Sequence, residues 1–353
     1  MELILSNIPP IRIGIKNTRS YFEELFYEAD NIRIASGYIS ADALIELKNI
    51  FELNKQPFLE LIIGMHGFDG FTKIQYESAK FLDDFLRLQN AGEVRIADVF
   101  KFHGKIYSFL KNNSPIASIV GSSNLTSIFD SANTYEADIL IDEPLMTAKI
   151  NEFLLMLSRQ ACAPFNEFKI KNFIESENLK LDGYNGVEKI SKEEVYKIFS
   201  IPSEVSFSIP IKADEAPKSN LNVFFGKGRE NKKGFIKPRS WYEVELIVPN
   251  DITSDKNYPK GGETGSEGII TVYTDDGWKF KCKISGDYNK NFRSADDLKI
   301  LGRWIKGRME NAGVLRTGYL VTDQILTEYG RDNFELRSTG DPLIWLMDFG
   351  VIK

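Results

Sequence analysis

The sequence contains very little cysteine and histidine, and it has no long apolar run. Of its 353 residues only two are cysteines, Cys162 and Cys282, and only two are histidines, His66 and His103. So few thiols and imidazoles exclude a disulfide framework and a zinc cluster, and we expect both thiols to be reduced and inert. The apolar runs have the length of strands, far below the roughly 20 residues that span a bilayer. We therefore expect no membrane partner and, because the N-terminus lacks the features of a secretory signal, a cytoplasmic location.

An excess of basic residues, which many nucleic-acid-binding proteins have, is also missing. The formal net charge is −6, but this charge is unevenly distributed. Residues 1–175 hold 17 Lys and Arg against 23 Asp and Glu, whereas residues 176–353 hold 27 of each. A neutral second half still binds DNA where its basic residues cluster, because counterion release depends on the local surface.

The pattern of secondary structure changes near residue 175, and a chain of 353 residues is long enough for two domains. The first half alternates strand-like and helix-like segments, which indicates an α/β fold. After a polar stretch, the second half shows short, closely spaced strand patterns and two helical segments, around residues 298–310 and 323–329. We therefore predict an α/β domain at residues 1–175 and a mainly β barrel or sandwich at residues 176–353.

Five polar residues with complementary chemistry lie among the strand patterns of the first half. His103 and Lys105 are two residues apart in FHGKIYSF, so they face the same side of a strand. Ser122 ends the buried strand pattern IASIVGS, Asn124 lies two residues further on, and Glu136 begins the strand pattern EADILI. If these strands pair, their side chains converge at one end of a sheet.

That set of groups suits the cleavage of a phosphodiester bond. A neutral imidazole is a good nucleophile near pH 7, and a covalent phospho-adduct divides one difficult displacement into two easier ones. A lysine and an amide are able to hold the non-bridging oxygens while charge develops on them. The chemistry then needs no metal ion and no cofactor.

Each residue also has a plainer interpretation. A lone HxK pair is more often accidental, and Glu136 could be a solvated residue at the start of a strand. Ser123 could cap the helix that follows it. His66, in the glycine-rich segment GMHGFDG, is favoured as a turn residue over a catalytic one.

FHGKIYSF followed by GSSN resembles the HxK…GSxN signature of the phospholipase D superfamily, and the run through YEADILI looks like its nuclease branch. The resemblance covers residues 1–175. Leu110 stands where the usual motif has Asp, a departure shared with the restriction-enzyme branch, which favours a BfiI-like nuclease. The resemblance implies these roles: His103 as nucleophile or general acid, Lys105 and Asn124 as phosphate ligands, Ser122 as their support, and Glu136 as assistant to the histidine.

The number of HxK motifs predicts a homodimer. The family's chemistry uses two such motifs, with one histidine as nucleophile and the other as acid for the leaving oxygen. This chain has one. The simplest arrangement is a two-fold dimer in which His103 of both copies lies in one site.

Basic clusters in the second half predict contacts with DNA. The segment DGWKFKCKISGDYNKNFRS resembles the plant B-three transcription-factor pseudobarrel and the effector domains of BfiI-like and EcoRII-like enzymes. That family grips DNA with two arms, which map to residues 212–222 and 283–293. The predicted DNA-binding residues are Lys212, Lys218, Lys227, Arg229, Lys232, Lys233, Lys290, Asn291 and Arg293. The plainer interpretation is that such side chains only solvate a β domain.

Taken together, the chain resembles the NgoFVII/NgoAVII/CglI restriction endonucleases. The resemblance implies double-stranded DNA as a partner. Some members of that family work with a separate helicase-like ATPase subunit, so ATP would enter through a partner. Two alternatives stay open: a phosphatidyl transferase or phospholipase with the same HxK chemistry, and a DNA-binding protein with an inactive nuclease half.

Overall fold

The protein is described by a computed structural model, which covers residues 1–13, 16–129, 134–170, 172–174, 180–213, 220–261 and 268–351. Its contacts divide the chain into two units. The first unit comprises Met1–Ser176 and Gly228–Pro238, and the second comprises Glu177–Lys227 and Arg239–Lys353.

An eight-stranded sheet forms the centre of the first unit. Its strands are β1 (Glu2–Leu5), β2 (Asn31–Ser36), β3 (Phe58–Ile63), β4 (Gly92–Ala97), β5 (Lys105–Lys111), β6 (Ser114–Gly121), β7 (Ala137–Ile141) and β8 (Cys162–Pro164). Their order is β1-β7-β6-β5-β2-β3-β4-β8. The strands β2, β3 and β4 are parallel, and every other neighbouring pair is antiparallel. The carboxyl ends of β2 and β3 therefore lie beside the start of β5.

Helices cover both faces of this sheet. They are α1 (Thr18–Glu28), α2 (Ala41–Leu53), α3 (His66–Asp69), α4 (Lys73–Leu88), α5 (Leu125–Phe129) and α6 (Pro144–Ala161). Alternate strand residues point to opposite faces. Thus Ile34 belongs to the larger core beneath α1, α2 and α4, whereas Ala35 packs with Leu154 and Leu157 of α6. The predicted alternation of strands and helices is confirmed.

A hairpin distant in sequence completes the larger core. It consists of β11 (Arg229–Glu230) and β12 (Ile236–Lys237). Phe235 is buried against Phe26 of α1, with ring centroids 6.1 Å apart. The side chain of Asn54 exchanges two hydrogen bonds with the backbone of Ile236, at 2.7 and 2.8 Å. The sequence-based boundary near residue 175 assigns this hairpin to the second domain, but the hairpin packs with the first unit. Phe235, an apolar side chain within a basic stretch, is the residue that anchors it there.

The second unit contains a curled half-barrel sheet. Its strands are β9 (Val187–Lys189), β10 (Ser206–Pro210), β13 (Leu246–Ile247), β14 (Ile269–Thr274), β15 (Trp278–Ser285), β16 (Asn291–Ser294), β17 (Asn333–Ser338) and β18 (Ile344–Asp348). Their order is β10-β17-β18-β14-β15-β16-β13, and β9 pairs with β15. In β15 the apolar residues Trp278, Phe280, Cys282 and Ile284 are buried, while the lysines between them face the other side.

Within the described residues of the second unit, the helices are α7 (Lys192–Phe199), α8 (Asn250–Thr253), α9 (Lys299–Asn311) and α10 (Asp323–Tyr329). The helices α9 and α10 lie where the sequence predicts helical segments. Within the described ranges of the chain, no helix combines the length and the apolar composition that crossing a membrane requires.

Candidate active site

His103 and Lys105 lie where the loop after β4 enters β5. The Nζ atom of Lys105 is 3.2 Å from Nε2 of His103 and donates to the carbonyl oxygen of the same histidine at 2.7 Å. Lys105 is buried, whereas His103 is exposed. Burial lowers the pKa of Lys105, and the negative charge of Glu136 partly opposes that shift. An ammonium and an imidazole are therefore held together at an open surface.

Two glycines let the ends of β2 and β3 approach this loop. A Cβ atom on Gly37 would lie 3.2 Å from Cδ2 of His103, and one on Gly64 would lie 1.9 Å from the carbonyl oxygen of Phe102. The backbone N–H of Phe102 donates to the carbonyl oxygen of Gly64 at 3.0 Å. Any side chain at Gly64 would displace the loop that holds His103.

The side chain of Asn124 is fixed beside the end of β2. Its Oδ1 atom accepts from the backbone N–H of Tyr38 at 3.0 Å and lies 3.4 Å from the hydroxyl oxygen of Ser36. The same Ser36 hydroxyl accepts from the backbone N–H of Leu125 at 3.0 Å. Because Oδ1 is engaged in this way, the amide orientation is set, and Nδ2 is the atom that carries the donors.

Glu136 is buried between two serine hydroxyls. Ser122 donates to its Oε2 atom, and Ser127 donates to Oε1 at 2.7 Å. In the described part of the chain no hydrogen bond joins Glu136 to His103. Its charge acts instead on Lys105. Glu136 thus lies close enough to influence Lys105, while its assistance to the histidine stays a prediction.

A buried carboxylate that the sequence analysis missed shapes the turn before Asn124. Asp138 accepts from the backbone N–H of Ser123 at 3.0 Å and from the hydroxyl of Thr18 at 2.6 Å. It also accepts from the Ser123 hydroxyl, whose proton is thereby directed to this carboxylate. Tyr107 donates to the carbonyl oxygen of Ser123 at 2.8 Å. The signal was present in EADILI, where Asp138 is two residues after Glu136 and faces the same side.

The other histidine, His66, is a structural residue. Its Nδ1 atom bonds to the carbonyl oxygen of Gly70 at 2.8 Å, and Nε2 accepts from the backbone N–H of Ile39 at 3.3 Å. The ring stacks on Phe71 with centroids 4.7 Å apart. Burial lowers the pKa of His66. A neutral imidazole that satisfies two backbone groups agrees with the turn interpretation.

The predicted DNA-binding residues separate into three groups. Lys212 and Lys227 are exposed in the second unit, and Lys218 lies outside the described residues. The hairpin residues Arg229, Lys232 and Lys233 are exposed but belong to the first unit.

The third group lies around β16. Arg293 is opposite Lys283 of β15 in the strand register. Lys290 is 3.9 Å from the carboxylate of Asp287, and Asn291 donates to Glu245 at 2.7 Å. The sequence-based arm at residues 283–293 is thus a hairpin that bears basic and amide side chains. Whether any of these residues contacts DNA stays a prediction.

Across the residues that the structure describes, His, Cys, Asp and Glu form no group of three or more that could hold a metal ion.

Fold and site define a phospholipase D-like nuclease unit joined to a DNA-binding domain. Residues 16–191 match the family model described as the NgoFVII restriction endonuclease N-terminal PLD domain. Residues 197–340 match the model described as the NgoFVII C-terminal B3-like DNA-binding domain. The chain therefore belongs to the NgoFVII family of restriction endonucleases. These matches confirm the predicted family and fold class.

Several solved structures are similar to parts of the chain. The archaeal chromatin protein TrmBL2 aligns with 46% of this chain and 53% of its own, so the alignment spans about half of that protein, at 18% identity and a TM-score of 0.30. The phospholipase D family member NUC from Salmonella typhimurium aligns over 46% and 95% of the two chains, at 14% identity and a TM-score of 0.35. Phosphatidylserine synthase from Haemophilus influenzae Rd KW20 aligns over 48% and 41%, at 14% identity and a TM-score of 0.34. A search of curated proteins found no match.

Proposed function

We propose that this endonuclease hydrolyses DNA through a covalent phosphohistidine on His103, without a metal ion, at a site that two copies share. The contact between Lys105 and His103 carries the proposal. An ammonium group only donates hydrogen bonds, so its 3.2 Å contact makes Nε2 of His103 the acceptor. The nucleophilic lone pair and the positive charge then meet at one point, where a phosphate would bind.

The reaction has two displacements at phosphorus. In the first, Nε2 of one His103 forms a bond to phosphorus while the phosphorus–oxygen bond to the leaving strand breaks, and the leaving oxygen takes a proton from His103 of the second copy. In the second displacement, His103 of the second copy removes a proton from a water molecule. The water oxygen then bonds to phosphorus, and the nitrogen–phosphorus bond to the first His103 breaks. Lys105 and the Nδ2 donors of Asn124 would hold the non-bridging oxygens.

The surface beside His103 supports the shared site. Val99 and Phe100, in the loop before His103, are 64% and 49% exposed. Phe153 and Met156, one turn apart on α6, are 44% and 49% exposed, and Phe153 contacts Phe102 of the same loop. Such an apolar patch is typical of an interface. A second copy docked there would bring its own His103 close to the first and complete the acid–base pair.

The second unit would select the DNA sequence. Its basic hairpin at residues 283–293 has the side chains that read base edges and phosphates. A helicase-like ATPase partner, with ATP as its cofactor, belongs to the proposal through the family resemblance. Adding such a subunit and ATP should raise the cleavage rate if the partner is required.

Hydrolysis of bis(p-nitrophenyl) phosphate and nicking of plasmid DNA, both in EDTA, test the proposed chemistry. We expect activity in EDTA, no activity for the His103→Ala variant, and an acid-labile adduct on the peptide that contains His103. Loss of all activity in EDTA with recovery in Mg²⁺ would refute the metal-independent mechanism. Phospholipid vesicles are the matched substrate for the phospholipase alternative, and we expect no hydrolysis of their lipids.

A further inference from the structure

Tyr38 connects the two parts of the candidate site. It follows β2 and Gly37, and its backbone N–H holds Oδ1 of Asn124 at 3.0 Å. Its carbonyl oxygen accepts from the Ser36 hydroxyl at 2.8 Å. The backbone of Tyr38 thus sets the orientation of a proposed phosphate ligand.

The ring of Tyr38 contacts the proposed nucleophile. Its centroid is 5.7 Å from that of His103, with the planes at 78°, and 5.5 Å from that of His66, with the planes at 89°. His66 is fixed by two backbone hydrogen bonds. Tyr38 therefore stands between an immobile ring and the exposed imidazole of His103.

The hydroxyl of Tyr38 is anchored at the rim of the site. It donates to Oδ2 of Asp69 at 2.7 Å, and Lys101 donates to Oδ1 of the same carboxylate at 2.6 Å. The hydrogen bonds from Lys101 and Tyr38 lower the pKa of Asp69, so the acceptor is ionised near neutral pH. This anchor fixes the far end of the ring.

We propose that Tyr38, held by Asp69 and Lys101, is a positioning residue that fixes the imidazole of His103 relative to Asn124 and Lys105. The inference rests on the proposed function, because it assigns His103 as the nucleophile. His103 is exposed, and among the described residues the aromatic ring that packs against its imidazole is that of Tyr38, while Lys105 contacts Nε2. Without the ring, the imidazole would sample rotamers that point away from phosphorus. A misplacement of about 1 Å costs up to about 100-fold in rate.

Tyr38 has an alternative role as a stacking platform for DNA. Tyr38 is 37% exposed, so its ring could instead stack on a base of bound DNA. A stacking platform contributes to substrate binding, and its loss raises KM or Kd. A positioning residue contributes to the rate of the chemical step, and its loss lowers kcat.

The Tyr38→Leu and Tyr38→Phe variants of the full chain separate these roles with bis(p-nitrophenyl) phosphate as the probe. For Tyr38→Leu we expect kcat to fall about 100-fold with KM unchanged. Tyr38→Phe keeps the ring and loses only the hydrogen bond to Asp69, so we expect a fall of about fivefold. An unchanged kcat for Tyr38→Leu, or an effect confined to KM, would overturn the inference.

Asp69→Ala provides a second route to the same conclusion and removes no aromatic side chain. It should lower kcat by about the same factor as Tyr38→Phe, and the double variant should be no worse than Asp69→Ala alone, because both changes remove the same Tyr38–Asp69 hydrogen bond and the bond from Lys101, which only Asp69→Ala also removes, does not involve the ring. Additive losses of kcat in the double variant would contradict the proposed role of the Tyr38–Asp69 hydrogen bond. The His103→Ala control identifies failure of the proposed function itself: if that variant retains activity, His103 is not the nucleophile, whatever the Tyr38 variants do.

Discussion

The carboxylate of Asp138 accepts hydrogen bonds from both the backbone N–H and the hydroxyl of Ser123. This pairing joins β7 to the turn that precedes Asn124. A side chain almost wholly removed from solvent thereby sets the path of the phosphate-binding turn.

We expect Asp138→Asn to lower both stability and activity. The neutral amide loses the hydrogen bonds that the hydroxyls of Ser123 and Thr18 donate to a charged carboxylate, and hydrogen bonds to a charged group contribute about 1.5–3 kcal/mol. Urea unfolding measures the loss of stability, and the rate of bis(p-nitrophenyl) phosphate hydrolysis measures the displacement of Asn124. Thr18→Val, which removes one of the three donors, is the matched control and should cost less. Wild-type stability in Asp138→Asn would contradict the role of this carboxylate.

A hybrid dimer tests the shared site. If each His103 has a different task in one strand cut, neither histidine replaces the other. A heterodimer of wild-type and His103→Ala subunits, purified with two different tags, should therefore be nearly inactive in plasmid nicking. Nicking at about half the wild-type rate would show two independent sites.

The environment of His66 predicts a pH dependence of stability. Its pKa is lowered in the folded state by burial, so the unfolded chain binds a proton more readily. The stability contributed by the neutral, buried His66 is therefore fully present above pH about 6.5, the unfolded pKa of histidine. It is lost as the pH falls below that value. Urea unfolding at pH 7.5, 6.5 and 5.5 should show the decrease, and His66→Gln should reduce it. A steep slope that persists in His66→Gln would assign the effect to other groups.

Phe235 should contribute strongly to the stability of the first unit. It is 1% exposed within the larger core, and truncation of a buried Phe costs about 3–5 kcal/mol. The Phe235→Ala variant should unfold at a lower urea concentration, whereas Lys232→Ala in the same hairpin should change stability by less than about 0.5 kcal/mol. Equal effects of the two changes would mean that the hairpin adds little to the core.

The basic hairpin around β16 should set the salt dependence of DNA binding. In the full-length His103→Ala background, Arg293→Ala should reduce the slope of log K against log salt by about one if Arg293 contacts a phosphate. Lys111→Ala, an exposed lysine of the first unit, is the control. A fluorescent duplex of random sequence suffices for the measurement. An unchanged slope for Arg293→Ala would show that Arg293 does not contact a DNA phosphate.

Residue spacing predicted much of the site, because period-two alternation and turn-forming segments are local properties. His103, Lys105 and Asn124 meet where neighbouring strands end, and those strands were visible as apolar runs. Asp138 was missed because its partners, Thr18 and Ser123, are remote in sequence, and only the fold shows that its carboxylate is buried and bonded.

The hairpin at residues 228–238 was missed for a related reason. Its lysines resemble a DNA-binding loop, and one phenylalanine in a basic stretch gives no periodic signal. Burial of Phe235 against Phe26 depends on a long-range contact that no local pattern encodes.

The discontinuity of the first unit also affects the order of events during synthesis. The ribosome delivers residues 1–176 first, and about fifty residues of the second unit must follow before Phe235 is made. Until then the pocket beside Phe26 lacks its last aromatic ring. A messenger RNA truncated between these segments would therefore yield an incompletely packed nuclease, so the chain finishes the unit that cuts DNA only after it has begun the unit that binds it.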